Sequence, residues 1–208
     1  MAYPVAVSIE PQLGSRDRLT TALRIILAIP HLILVGAAGS FALSVDSPRV
    51  SVASHGGLIG IVVSVLAVVS WLTILLSGQH VEGIREFTRF YLRWRLRVMA
   101  YVFLLVDKYP PFGDGAYPTS LQVTDPPGAR DKPSVAVRIL LAIPHFIVLG
   151  LVLCVCLVLT MVAWFTILIT GRYPRVFVAL PAGALKWTMR VEAYLFLMVD
   201  EYPPFSLA

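Results

Sequence analysis

From Ile139 to Thr170 the chain runs 32 residues without a charged side chain, a stretch for which a soluble fold has little use. As one straight helix it measures about 48 Å, whereas a bilayer's hydrocarbon core is roughly 30 Å thick and about 20 helical residues cross it. Two more uncharged stretches, Ile25 to Ser44 and Val50 to Val81, are also long enough to span. Composition agrees, because 58% of residues are hydrophobic, 14% are charged and the mean hydropathy is +0.81, while an ordinary soluble domain carries charge on roughly a quarter of its residues. The chain is therefore expected to be an integral membrane protein. Its opening, MAYPVAVSIEPQ, has no basic region leading into an apolar stretch and no cleavage pattern, so the first crossing is expected to stay in the mature protein.

Internal repetition organises the rest. Residues 3–36 return 114 positions later with 15 of 34 identical, and residues 71–112 return 93 positions later with 19 of 42 identical. The chain is a tandem duplication, residues 1–115 and 116–208, and the first copy carries 21 extra residues between Gly36 and Trp71. This insertion, about 37–57, includes the polar stretch SVDSPRVSVASHGG.

The expected fold is an all-α integral membrane protein in which each copy makes a transmembrane helical hairpin followed by an amphipathic interfacial helix, with a short N-terminal strand. Copy one would cross near 19–38 and 58–76, and copy two over 135–170, with Gly150 as the turn. Both termini and the central segment then share one side, and 16 of the 17 Lys and Arg lie at or near it, leaving Arg49 in the inserted loop opposite. The positive-inside rule makes that side the cytoplasm and the membrane the inner one.

Each copy sets an arginine ahead of a Pro-His pair: Arg24 before Pro30 and His31, Arg138 before Pro144 and His145. The arginines can snorkel to headgroups, the prolines kink their helices, and the histidines are expected to serve as polar partners inside the bundle for the freed carbonyls. A proton relay, a metal site uniting both histidines and contact with a lipid headgroup are the alternatives. Cys154 and Cys156, two apart on a helix, point to different faces and suit packing rather than a disulfide.

Downstream, Ile84, Phe87, Tyr91, Trp94, Val98, Tyr101 and Leu105 step by three and four, the mark of a helix over about 83–106. Arg85, Arg89, Arg93 and Arg97 form a ladder on another face. The second copy repeats the stripe over about 177–199, with Lys186, Trp187 and Arg190 at matching positions. Apolar residues and aromatics beside basic ones suit a helix in the interface against anionic headgroups; a helix packed under the bundle with paired arginines is the other reading. Each copy closes with VDKYPPF or VDEYPPF, where the proline pair ends the helix and Asp107 or Asp200 is placed to pair with an arginine. Each opens with an alternating stretch, Val5 to Ile9 or Leu121 to Val123, expected to be strands that pair together or add to a partner's sheet.

The combination of an arginine before LAIPH, then W(L/F)TIL(L/I)(S/T)G, then RW or KW, then RVxAY and DxYPPF, resembles the family called domain of unknown function 4389. The resemblance covers nearly the whole chain, twice. It implies a bacterial, largely actinobacterial, integral membrane protein, and supplies no settled activity and no catalytic residue. Copy two's GRYPR fits the family pattern, and copy one's GQHVE departs from it.

No nucleophile elbow, phosphate loop, HExxH or paired-carboxylate motif occurs, so no enzyme, cofactor or metal is expected. Positive-inside topology accounts for the +5 charge without nucleic acid. The expected function is a non-enzymatic accessory or assembly subunit of a cell-envelope complex, partnered by the phospholipid bilayer, its anionic headgroups and other membrane subunits. Family context points to lipid transport, with an Mce-type lipid importer as the concrete expectation. The alternative is a small stand-alone transporter or channel with its site near the Pro-His pairs.

Overall fold

The computed structural model describes residues 3–37, 41–46, 49–54, 57–126, 128 and 130–208. In chain order the elements are β1 (Val5–Ile9), α1 (Arg18–Ala22), α2 (Arg24–Val35), β2 (Phe41–Asp46), β3 (Arg49–Ser54), α3 (Gly57–Ser77), α4 (Glu82–Val102), β4 (Thr119–Val123), α5 (Lys132–Thr170) and α6 (Ala179–Leu195). The protein is mostly helical, and α3 and α5 are long and apolar enough to cross a membrane.

Helix α5 corrects the expected second hairpin. It starts behind Asp131 with Pro133 in its first turn, where a missing N–H costs nothing. It ends at Gly171, whose φ of 71° is left-handed and whose N–H reaches the Ile167 carbonyl. Between these stops, 39 residues form one helix, a contour of about 58 Å. Its buried residues, Val135, Arg138, Ala142, His145, Leu149, Leu153, Cys156, Ala163 and Ile167, keep one helical phase straight through Gly150. A lone glycine among helix formers costs about 1 kcal/mol relative to alanine, which does not turn a chain.

Copy one contains the same helix, broken by a turn at Leu23 and again by the insertion. Its buried positions are Thr21, Arg24, Ala28, His31 and Val35, then Gly60, Val63, Ser70 and Ile74. Without the 21 inserted residues they fall on the pattern of α5. Gly36 and Gly57 both align with Gly150, at the two repeat offsets, and they abut: a Cβ on Gly57 would lie 2.5 Å from the Gly36 nitrogen and from the Leu34 carbonyl oxygen. The insertion therefore leaves the helix at one glycine and returns at the other. Its strands β2 and β3 pair antiparallel from Phe41↔Ser54 to Asp46↔Arg49.

The copies interlock. Trp71 Nε1–H donates to the Val135 carbonyl at 3.0 Å, and its counterpart Trp164 donates to the Thr21 carbonyl at 2.9 Å. Likewise the Arg16 N–H meets the Gly171 carbonyl at 3.1 Å, and the Arg130 N–H meets that of Gly78 at 3.2 Å. Each long helix thus ends against the beginning of the other. Strands β1 and β4 pair antiparallel with Val7 opposite Leu121, its own counterpart, so a pseudo-twofold axis passes between them. Of the two options for these strands, pairing together is the one adopted.

Helices α4 and α6 form an inner layer, with the strands on one side and α2, α3 and α5 on the other. Of the two readings of α4, packing under the bundle with paired arginines is the one adopted, and the interfacial one is corrected. The α4 stripe was read rightly as helical, but α2 and α3 cover it, leaving Tyr91, Leu92, Leu96, Val98 and Met99 with no exposed surface to offer lipid. The apolar residues left outside belong to the long helices, among them Ile25, Ile33, Val65, Ile139, Val158 and Phe165.

Candidate functional site

The residues shared by the two copies assemble into two equivalent clusters, one at each end of the inner layer. Arg24 donates to the carbonyls of Tyr101 at 3.1 Å and Val106 at 3.0 Å, to Asp107 at 2.5 Å, and lies 4.4 Å over the Tyr101 ring. Arg138 does the same with Tyr194, Val199 and Asp200, each at 2.9 Å, and lies 4.3 Å over the Tyr194 ring. Arg16 and Arg130 complete the clusters by bonding Asp107 and the Leu104 carbonyl, or Asp200 and the Leu197 carbonyl. The expected carboxylate pairing of Asp107 and Asp200 is present. The expected snorkelling of Arg24 and Arg138 is not, because both side chains are buried and bonded. Leu104 and Leu197 take left-handed φ values of 61° and 62°. Such conformations cost of order 1 kcal/mol or more in a non-glycine residue; here they aim the following aspartates back beneath the arginines.

The next layer of each cluster holds the histidine. Trp94 Nε1–H donates to His31 Nδ1 at 3.1 Å, and Trp187 donates to His145 Nδ1 at the same distance. A ring that accepts at Nδ1 and is neutral carries its hydrogen on Nε2. His31 stacks on Phe112, with centroids 4.1 Å apart, and His145 stacks on Phe205 at 4.0 Å. The carbonyls three residues before the prolines receive tyrosine hydroxyls, Tyr109 to Leu27 at 3.2 Å and Tyr202 to Leu141 at 3.0 Å. The histidines are hydrogen-bonded inside the bundle as expected, but to tryptophans rather than to the carbonyls freed by Pro30 and Pro144. They anchor the YPPF segments, and each belongs to its own cluster. Among the described residues no group of three or more His, Cys, Asp and Glu is placed to hold a metal ion.

The arginine ladder is engaged by the chain's own carboxylates. Arg85 and Arg89 meet Asp125, Arg89 also meets Glu86, and Arg93 and Arg97 meet Asp114 at 3.2 and 3.4 Å. Burial pushes Asp125 up, but its bond to Arg89 and the charges of Arg85 and Arg89 outweigh that and hold its carboxyl below the usual range. In copy two Arg190 donates to the Ser206 and Ala208 carbonyls, and Lys186 is half-buried. Trp94 and Trp187 are 6% and 4% exposed, which places them in the core rather than in an interfacial belt.

One strong interaction has no counterpart in the other copy. Arg95 Nε donates to both Glu192 carboxylate oxygens, at 2.8 and 2.9 Å, with both side chains almost fully buried between α4 and α6. The equivalent residues are Thr188 and Met99. Arg95 also bonds the Val35 and Ala37 carbonyls, at the point where the insertion interrupts the long helix. In α5 the helix continues and satisfies its own carbonyls, and Thr188 simply bonds Ala184. The insertion thus orphans carbonyls, Arg95 caps them, and Glu192 neutralises Arg95. Sequence reasoning missed this pair. The available signal was an arginine and a glutamate at buried-stripe positions where the other copy has Thr188 and Met99. It also missed Arg16 and Arg130, although G-x-R-D precedes both long helices.

A family model described as domain of unknown function (DUF4389) matches residues 52–113 and again residues 132–206. No curated protein and no solved structure matches the chain.

Proposed function

The chain belongs to the DUF4389 family, with two tandem matches to its domain, and from that premise we propose that it is a non-enzymatic integral membrane subunit of a larger cell-envelope assembly. Its termini are cytoplasmic and its place is the inner membrane. The observation that carries this reading is the outward face of the long helices. In the most apolar windows of α3 and α5, 22% is buried within the protein, whereas the core helix of a soluble protein is mostly buried. That much outward apolar surface calls for acyl chains or partner helices around it. The polar residues common to both copies are taken up in bonds that fasten the helices together, which suits a scaffold.

Lipid handling is the role we assign to the assembly on the family resemblance, with an Mce-type importer as the host. The test is gentle detergent extraction followed by identification of proteins that co-purify. Stoichiometric envelope subunits are the expected result, and a chain that purifies alone and conducts a solute in vesicles would overturn it. Resistance to alkaline carbonate extraction is the expected result for membrane residence itself.

A further inference from the structure

Helices α2 and α4 lie side by side and antiparallel. Arg24 meets the Tyr101 carbonyl, His31 meets Trp94, and the Tyr91 hydroxyl meets the Val35 carbonyl at 3.4 Å. In copy two, Arg138 and His145 align α5 with α6 through Tyr194 and Trp187 in the same way. Whatever direction α4 takes relative to a membrane, α2 shares it.

The charged ladder fixes that direction. At about 100° per residue, Arg85, Arg89, Arg93 and Arg97 centre roughly 150° around α4 from Tyr91 and Trp94, the residues that face α2. The ladder runs about 18 Å along the axis. Its partners Asp114 and Asp125 have side chains 54% and 45% exposed, so this is a surface of ion pairs open to the surroundings. Stood upright in a bilayer, α4 would spread these pairs over more than half of a roughly 30 Å core, where charged side chains facing lipid are costly. Laid flat, α4 turns the whole ladder towards water, with Arg97 covered by the chain itself and Arg85, Arg89 and Arg93 partly open. The same side carries the sheet, with Ser8 and Ser120 hydroxyls 2.8 Å apart, while the apolar residues of the long helices face the other way.

We infer that the protein is monotopic: α2, α3 and α5 lie along the membrane with their outer faces sunk among the acyl chains of one leaflet, and α4, α6 and the β1–β4 sheet stand over them in water. This rests on the membrane reading above and replaces crossing with embedding. Both ends of α5 then meet the cytoplasm, so Lys132 at its start and Arg172 and Arg175 after it share one face, as the positive-inside rule asks. A crossing α5 would divide them. The partner is lipid rather than another protein, because neither α5 between Arg138 and Thr170 nor α3 carries a charged residue, whereas protein interfaces are rimmed with polar groups.

The test uses the full chain in cells, with Cys154→Ser and Cys156→Ala as background. Ser120→Cys reports the segment before α5, and Arg175→Cys the segment after it; both positions are exposed. A membrane-impermeant maleimide should label neither in intact cells and both after permeabilisation. Arg49→Cys in the insertion between α2 and α3 should behave the same way, its labelling from outside alone meaning that α2 and α3 cross. Labelling one of the first two from outside, in protein that resists carbonate extraction, means α5 crosses and overturns the inference while leaving the membrane reading intact. Labelling both from outside keeps the single-leaflet arrangement and overturns the cytoplasmic assignment of the termini. Release of the parent chain by carbonate overturns the membrane reading itself.

Discussion

Arg95 and Glu192 have the sharpest consequence of any residues in the chain. Removing either member of a buried pair leaves an unpaired charge and typically costs about 3–5 kcal/mol. Arg95→Met and Glu192→Met should each lower the unfolding midpoint steeply in detergent, and the double variant should recover part of the loss, with the uncapped Val35 and Ala37 carbonyls accounting for the remainder. An additive double variant would refute the coupling. Trp94→Phe and Trp187→Phe should each cost about 1–3 kcal/mol by leaving a buried Nδ1 without its donor, and by similar amounts, since both make the same 3.1 Å bond and the two histidine–tryptophan ring spacings agree to within 0.2 Å. A large inequality in their thermal shifts would contradict the equivalence of the clusters. Asp125 adds a pH dependence. Its folded value is depressed, so its contribution is full above the ordinary aspartate range near 4 and disappears as pH falls through the lowered value. Asp125→Asn should remove that acid-side fall from a plot of unfolding midpoint against pH.

At the scale of elements, the insertion is removable in principle. Deleting residues 37–57 joins Gly36 to Leu58 and recreates the local pattern of α5, in which Leu149, Gly150 and Leu151 follow without a break. The shortened chain should fold, gain helical signal per residue by circular dichroism, and tolerate Arg95→Thr combined with Glu192→Met far better than the full chain does. Failure to fold would mean that the hairpin of β2 and β3 does more than interrupt. Much at this scale was legible in the sequence. The three-and-four stepping of Tyr91, Trp94 and Val98 gave α4, and the alternation of Val5, Val7 and Ile9 gave a strand. Three things were not legible. Gly150 reads the same in a turn as in a helix, and its helical flanks decided the matter. An apolar stripe does not say whether lipid or protein will cover it, because both are equally dry; the α4 stripe therefore reads equally as facing headgroups or as packed under the bundle, and the long helices cover it. The role of His31 was also hidden, since Phe112 and Tyr109 reach it from about 80 residues away.

For the whole molecule, crosswise pairing of the long helices means that neither copy closes alone. Residues 1–115 and 116–208 expressed as separate chains should each be unstable and should recover a stable complex when coexpressed, read as co-purification through a tag on one half. Stable folding of either half by itself would contradict the interlock. A single-copy chain of this kind would satisfy the same bonds by dimerising, every contact being made twice about a true axis. In such a dimer a residue cannot change on one side only: an arginine in place of Thr188 would bring a second arginine, and a glutamate in place of Met99 a second glutamate. Fusion lifts that constraint. Once both halves lie on one chain, one can accept an insertion and the other can supply a lone carboxylate to compensate, so the duplicated gene reaches a lopsided, specialised interior that mutation of a symmetric ancestor could not enter one residue at a time.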